Sequence, residues 1–152
     1  MPSIIALTAR SLRKSNRSRK ALEYLTSVID TESDDIEARF ELEHLLYEVG
    51  NIEEAVKQNE EILKRDPNFA ESWFNLGWIY ATSKGNVHKG IEYLQRALGI
   101  HPKNPGYLYT LGCFYQINDT RHEARDAFTR CISNSPDEPI RRDAERRLAM
   151  LQ

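Results

Sequence analysis

A pattern of apolar and small residues returns every 34 or 35 positions along this chain of 152 residues. The clearest copy contains Trp73, Leu76, Gly77 and Tyr80, and the copy after it contains Leu108, Leu111, Gly112 and Tyr115. Tyr80 and Tyr115 are 35 residues apart, whereas Pro102 and Pro136 are 34 apart. A unit of this size cannot bury its apolar face alone, so the period predicts similar units stacked one after another.

Two earlier copies of the pattern precede these. One contains Leu42, Leu46, Ala55 and Ile62 before Pro67, and the other contains Ala9, Leu12, Ala21, Leu25 and Val28 before Ser33. Midway through two of the four copies stand Gly50-Asn51 and Gly85-Asn86, residue types that take the positive φ of a helix end. A proline closes three of the copies and disfavours helical geometry in the residue before it. Each copy therefore reads as two helices joined by a tight turn.

This pattern resembles the tetratricopeptide-repeat family, whose signature is W-x2-L-G-x2-Y, then A-x3-F, then P on a period of 34. The resemblance covers about nine tenths of the chain and divides it into four repeats, 2–35, 36–69, 70–104 and 105–138. It implies an all-α fold, a right-handed α-α superhelix of four helix pairs within one domain, 1–152. Small residues at matching places predict close helix contacts: Ala9, Ala21, Ala55, Gly77, Gly90, Gly112 and Ala124.

The two ends of the chain carry different surfaces. Over residues 139–152 the apolar side chains lie on one helical stripe and the charged ones on the other, which predicts a polar-faced capping helix. That stripe consists of Ile140, Ala144, Leu148 and Leu151. No comparable helix precedes the first repeat, so we expect an apolar edge there, formed by Ile4, Ile5, Leu7 and Leu12.

The net charge of -2 conceals an uneven distribution of charge. Residues 1–22 carry six basic side chains and no acid, whereas residues 23–66 carry fourteen acids against four bases. Such a polarity bears on partner choice more than on fold. The basic, serine-containing N-terminal segment is also compatible with an organellar transit peptide.

The sequence offers no arrangement that supports catalysis, and we expect neither an active site, a metal nor a cofactor. The four histidines are scattered, there is no H-E-x-x-H or phosphate-binding glycine loop, and the two cysteines lack C-x-x-C spacing. We expect Cys131 to be buried and Cys113 to lie near the partner-binding face. No apolar stretch is long enough to span a bilayer, and the cysteine content favours a reducing, cytoplasmic setting.

In the tetratricopeptide-repeat family the first helices of successive pairs line a concave surface that binds a peptide or helix of a partner. The resemblance places these residues there: Phe40, Glu41, His44, Tyr47, Phe74, Asn75, Trp78, Tyr109, Thr110 and Gln116, with Arg10, Arg13, Glu48, Glu71 and Cys113 beside them. Large aromatic side chains dominate binding energy at interfaces, so the aromatic members are the expected anchors. Acids expected on the rim predict an apolar partner segment with basic flanks: Glu37, Glu41, Glu48 and Glu71.

One subgroup of the family grips the C-terminal carboxylate of a chaperone with lysine, arginine and asparagine side chains. Asn75 matches that pattern. Phe40, His44, Gly106 and Thr110 stand where its partners are required, so the resemblance does not imply a carboxylate clamp.

The leading function is therefore a non-enzymatic protein-interaction module, an adaptor, a co-chaperone-like protein or an assembly factor. Nucleic-acid binding through the basic segment between Arg10 and Lys20 is an alternative, although an isoelectric point near 6.1 weighs against it. Self-association through the apolar N-terminal edge is a second alternative.

Overall fold

The computed structural model describes residues 1–30, 33–136 and 138–151, and of Glu138 only the backbone. Within them all regular structure is helical, and there are nine α-helices. They are α1 Ile4–Lys14, α2 Ser18–Val28, α3 Ile36–Glu48, α4 Ile52–Arg65, α5 Ala70–Thr82, α6 Val87–Ile100, α7 Pro105–Ile117, α8 Arg121–Asn134 and α9 Glu138–Met150. The predicted all-α fold is confirmed.

The turn within each helix pair contains one residue with a positive φ. Gly50 has φ +80° and Gly85 has φ +65°, as the sequence predicts, while Asn16 and Asp119 take 58° and 56° in the other two pairs. A Cβ on Gly50 or Gly85 would meet nothing within 4 Å. Glycine is therefore favoured at these two turns by the backbone conformation and not by lack of space, and asparagine or aspartate takes the same conformation in the other two.

The helices divide into two compact units, Met1–Ser72 and Trp73–Gln152, and the boundary lies inside α5. The prediction of one domain over the whole chain stays a prediction. In the first unit, α1 pairs with α2, α3 pairs with α4, and α3 also contacts both helices of the first pair. The core between them is built from small and branched side chains that are fully buried, among them Ala6, Ala9, Ala21, Leu25, Leu45 and Ile62.

The first unit also contains a buried arginine. Arg39 of α3 is only 2% exposed and donates from Nε to the carbonyl of Ser33 (3.1 Å) and from Nη1 to Oε1 of Gln58 (3.0 Å). Its Nη2 donates to the carbonyl of Asp30 at the end of α2. The guanidinium therefore ties the α2–α3 connection to α4, and burial of a charge is tolerated because these donors are used.

In the second unit the predicted close contacts between helices are present. A Cβ added to Gly77 of α5 would lie 2.9 Å from the carbonyl oxygen of Gly90 in α6, and one added to Gly112 of α7 would lie 2.7 Å from the Phe128 ring in α8. Both distances are shorter than side chains allow. The small residues of the repeat are thus explained by helix approach.

Helix α9 packs on α7 and α8. It was predicted over 139–152 and is observed over Glu138–Met150, and Gln152 lies outside the described residues. Ala144 is fully buried, whereas Met150 at the end of the helix is exposed. In the part of the chain that the structure describes, no helix combines the length and hydropathy that a bilayer span requires.

Candidate partner-binding surfaces

Each unit contains its own share of the predicted partner-binding residues. Phe40, Glu41, His44 and Tyr47 lie on α3 in the first unit, while Phe74, Asn75, Trp78, Tyr109, Thr110 and Gln116 lie on α5 and α7 in the second. The two sets differ in chemistry, because the first combines two aromatic rings with two ionisable side chains, whereas the second combines three aromatic rings with three uncharged polar side chains.

Glu41 differs from the expected rim position. Its side chain is 5% exposed, with Oε1 2.7 Å from Nε of Arg10 and Oε2 3.3 Å from Nη2 of Arg13. Arg13 also lies 3.7 Å from the carboxylate of the more exposed Glu48. We therefore correct the expectation of an open carboxylate at Glu41, since its charge is already neutralised by α1 within the same unit.

Phe40 forms the aromatic part of the α3 surface. Its ring packs edge-on against Phe69 (centroids 5.1 Å apart) and against His44 (4.5 Å). Phe69 precedes α5 and was not among the predicted residues. Phe40, His44 and Tyr47 are all partly exposed, so the α3 surface retains accessible ring area.

His44 carries a perturbed imidazole. Its Nδ1 lies 3.0 Å from Oε2 of Glu43 and 3.0 Å from the carbonyl oxygen of Phe40. The hydrogen bond to Glu43 raises the pKa of His44 above its usual value, although burial and the charge of Arg13 act in the opposite direction. The imidazole therefore keeps its proton to a higher pH than a histidine in water does.

On the second unit, two aromatic side chains of α5 lie against α7. Phe74 stacks on Tyr107 with centroids 4.9 Å apart, and Trp78 lies 6.3 Å from Phe114. Tyr107 and Phe114 are buried, while Trp78 is 40% exposed. Phe74 thus contributes to helix packing as well as to the surface, and Trp78 presents the larger accessible ring face.

Tyr109 and Gln116 of α7 are joined to the capping helix. The Tyr109 hydroxyl donates to Asp143, and Arg147 donates to the same hydroxyl (2.9 Å) and to Oε1 of Gln116 (3.0 Å). Burial raises the pKa of Tyr109, which keeps the hydroxyl protonated as a donor. Asp143 and Arg147 were missed from the sequence, although Asp143 follows Tyr109 by 34 residues, one repeat step.

The remaining predicted positions of α7 are less accessible. Thr110 is 8% exposed and its hydroxyl donates to the carbonyl of Gly106. Cys113 is partly buried, and burial raises the pKa of its thiol, which disfavours the reactive thiolate. Cys131 is buried as expected. Among the described residues, no three histidine, cysteine, aspartate or glutamate side chains are grouped as metal ligands.

A different face of α5 carries a second aromatic group. Trp73 stacks on Tyr93 of α6 (centroids 5.8 Å apart), and Tyr80 also packs on Tyr93 (5.3 Å). The ammonium group of Lys89 lies 4.2 Å from the centre of the Tyr80 ring. These rings join the two helices of one pair, so they are structural and separate from the α5 residues that lie against α7.

Comparison with known proteins identifies the repeat. Two family profiles described as tetratricopeptide repeat match residues 44–105 and 105–138, together most of the chain. The chain belongs to the tetratricopeptide-repeat family. The junction at residue 105 coincides with the predicted start of the fourth repeat and with the first residue of α7. No curated protein matches the sequence significantly.

Solved structures share the fold. The MamA RS-1 ArsTM double mutant is 18% identical with a TM-score of 0.80, over 99% of this chain and 85% of that one. MamA 41-end from Desulfovibrio magneticus RS-1 is 19% identical (TM-score 0.75), over 99% and 93%. A putative kinesin light chain with TPR-like repeats from Podosopora anserina is 19% identical (TM-score 0.72), over 97% and 83%. At such identities the likeness shows the tetratricopeptide-repeat solenoid fold alone.

Proposed function

We propose that this tetratricopeptide-repeat protein is a non-enzymatic adaptor or assembly factor that binds an apolar segment of a partner protein on its second unit. The binding site is the α5–α9 surface, defined as Phe74, Trp78, Tyr109, Gln116, Asp143 and Arg147. The observation that carries the proposal is the Trp78 side chain, which is 40% exposed although it is one of the largest apolar groups in the chain. An exposed, rigid aromatic of this kind is the residue type most enriched among binding anchors.

The surface combines an aromatic part with a polar part. Phe74 packs on the buried ring of Tyr107 and Trp78 packs on that of Phe114. These contacts restrict the two side chains in the unbound protein. Such preorganisation lowers the entropic cost of binding. The Asp143–Arg147 pair, 3.0 Å apart, is bonded to Tyr109 and Gln116 and so gives the aromatic part a fixed polar margin.

The acidic charge of the first unit indicates which charge a partner should carry. Residues 23–66 carry a large acidic excess, and of the acids expected on the rim Glu37, Glu48 and Glu71 are exposed. Basic residues in the partner are therefore favoured for encounter with this unit. The two free cysteines fit a reducing setting such as the cytoplasm.

Selection from a library of random peptides displayed on phage tests the proposal. The immobilised wild-type protein should enrich peptides with a large apolar residue, and the Phe74→Ala/Trp78→Ala variant should not retain them. Tyr93→Ala is the matched control, because it removes one aromatic ring from the structural group between α5 and α6. Peptides retained equally by the wild type and by the folded double variant would show that the α5–α9 surface is not the binding site.

A further inference from the structure

One face of α1 is exposed and both apolar and basic. Ile4, Leu7, Ser11 and Lys14 recur at intervals of three or four residues, which places them on one side of the helix. All four are exposed, Ile4 at 81% and Leu7 at 48%. Ile4 and Leu7 are three residues apart, so their exposed aliphatic side chains are neighbours on the helix surface.

The two arginines of α1 are engaged by α3. Arg10 and Arg13 pair with Glu41; Arg13 lies about half a turn round the helix from Ile4, whereas Arg10 borders the exposed face next to Lys14. The opposite side of α1 buries Ala6 and Ala9. The exposed face therefore lies on the side of α1 opposite its buried alanines.

Helix α2 and the turn before it add further exposed basic and apolar groups. Arg17 and Lys20 are exposed, and Val28 at the end of α2 is 39% exposed. Lys20 projects from nearly the opposite side of α2 to Leu22, which lines a groove against α3 and α4. Glu23, the first acid in the chain, follows Lys20 by three residues and is also exposed. We call Ile4, Leu7, Lys14, Arg17, Lys20 and Val28 the N-terminal edge.

We propose that the N-terminal edge binds the surface of a membrane that contains anionic lipids. Aliphatic side chains beside lysine and arginine are the composition of a helix that lies in the headgroup region, where apolar groups enter the acyl boundary and bases meet lipid charges. No helix of the described residues can span a bilayer, so the contact is peripheral. The site lies in the first unit and is independent of the α5–α9 surface.

Two other occupants explain only part of this edge. Binding to a nucleic acid would explain Lys14, Arg17 and Lys20, because basic side chains contact phosphate groups. It would leave Ile4 and Leu7 without a role. A second copy of the chain covers the aliphatic side chains, but the same edge of that copy offers no acid to pair with Lys14, Arg17 and Lys20. An anionic lipid surface satisfies the apolar and the basic groups together.

Sedimentation with lipid vesicles tests this proposal. The protein should partition at least about tenfold more strongly to phosphatidylcholine vesicles with ~30 mol% phosphatidylserine than to pure phosphatidylcholine, and ~0.5 M NaCl should weaken the binding. Ile4→Ser/Leu7→Ser and Lys14→Gln/Arg17→Gln/Lys20→Gln should each reduce binding by about tenfold or more. The charge-matched control Lys103→Gln/Arg121→Gln/Arg125→Gln, at exposed positions of the second unit, should bind as the wild type does.

Circular dichroism checks that each variant is folded. If Ile4→Ser/Leu7→Ser unfolds, vesicle binding by Lys14→Gln/Arg17→Gln/Lys20→Gln alone tests the proposal. Equal or absent binding to the two vesicle types would overturn the proposal. The proposal would also be overturned if the protein shifted the electrophoretic mobility of duplex DNA or RNA, if that shift depended on Lys14, Arg17 and Lys20, and if the protein did not bind vesicles. A different outcome is a dimer, detected by light scattering, that is lost in Ile4→Ser/Leu7→Ser. Such a dimer, in the absence of vesicle binding, would assign the N-terminal edge to contact with a second copy of the chain.

Discussion

Gly112 of α7 has no room for a side chain, because the Phe128 ring lies 2.7 Å from where its Cβ would be. Gly112→Leu should therefore lower the free energy of unfolding by about 2–4 kcal/mol, since the branched side chain separates α7 from α8. Chemical denaturation measures the change. Gly99→Ala in α6 is the control: nothing lies within 4 Å of that position, so alanine should leave stability unchanged or raise it by ~0.5–1 kcal/mol. Equal effects at the two glycines would show that the assigned helix contact is absent.

His44 makes the stability of the first unit depend on pH. Its folded-state pKa is raised above 6.5, chiefly by the hydrogen bond to Glu43, so its contribution is fully present below the unfolded-state value and disappears as pH rises through the folded-state value. His44→Gln should therefore destabilise the protein more at ~pH 5.5 than at ~pH 8.5, by on the order of a few tenths of a kcal/mol because the ring is partly solvated. Urea denaturation at the two pH values checks the sign. A larger loss at the higher pH would contradict the assigned interaction.

The connection between α2 and α3 depends on Arg39. Its guanidinium donates to two loop carbonyls and to Gln58 of α4, so Arg39→Met should cost roughly 2–4 kcal/mol by leaving buried acceptors unpaired. Arg39→Lys should recover only part of the loss, because an ammonium cannot reproduce the planar fork. Thermal or urea unfolding measures both. Arg125→Met, at an exposed position of α8, is the control and should stay within about 0.5 kcal/mol of the wild type. If Arg39→Met lowered the free energy of unfolding no more than Arg125→Met does, the Arg39 hydrogen bonds would not stabilise the α2–α3 connection.

The helices and their turns follow from the sequence because the determinants are local. Gly50 and Gly85 have the positive φ that their residue type and position predict, and α7 begins at Pro105 after Asn104, whose side chain caps it. The role of Arg39 is not local. It stands 34 residues before Trp73, at the place where the family signature has tryptophan, so a register comparison would have marked the position but not its hydrogen bonds.

Across the whole molecule, the repeat period predicts which residues share a helix face but not which of them stay accessible. The pattern predicts Glu41 on an open rim, yet Arg10, 31 residues away, neutralises its charge. The resemblance places Tyr109 and Gln116 on the partner-binding face; they lie on α7, and their polar groups are bonded to Arg147 of α9. Both outcomes depend on side chains one repeat away, whose reach a pattern of residue types does not encode.

The proposed binding role of the α5–α9 surface is tested most directly by the dissociation constant of its selected peptide ligand, measured by titration calorimetry. Trp78→Ala is the cleaner single variant, because Phe74→Ala also removes a ring stacked on Tyr107. We predict that Trp78→Ala weakens binding by about 2 kcal/mol, roughly thirtyfold, with helix content unchanged by circular dichroism, and that Tyr93→Ala leaves the dissociation constant unaltered. An unchanged dissociation constant for folded Trp78→Ala would contradict the account.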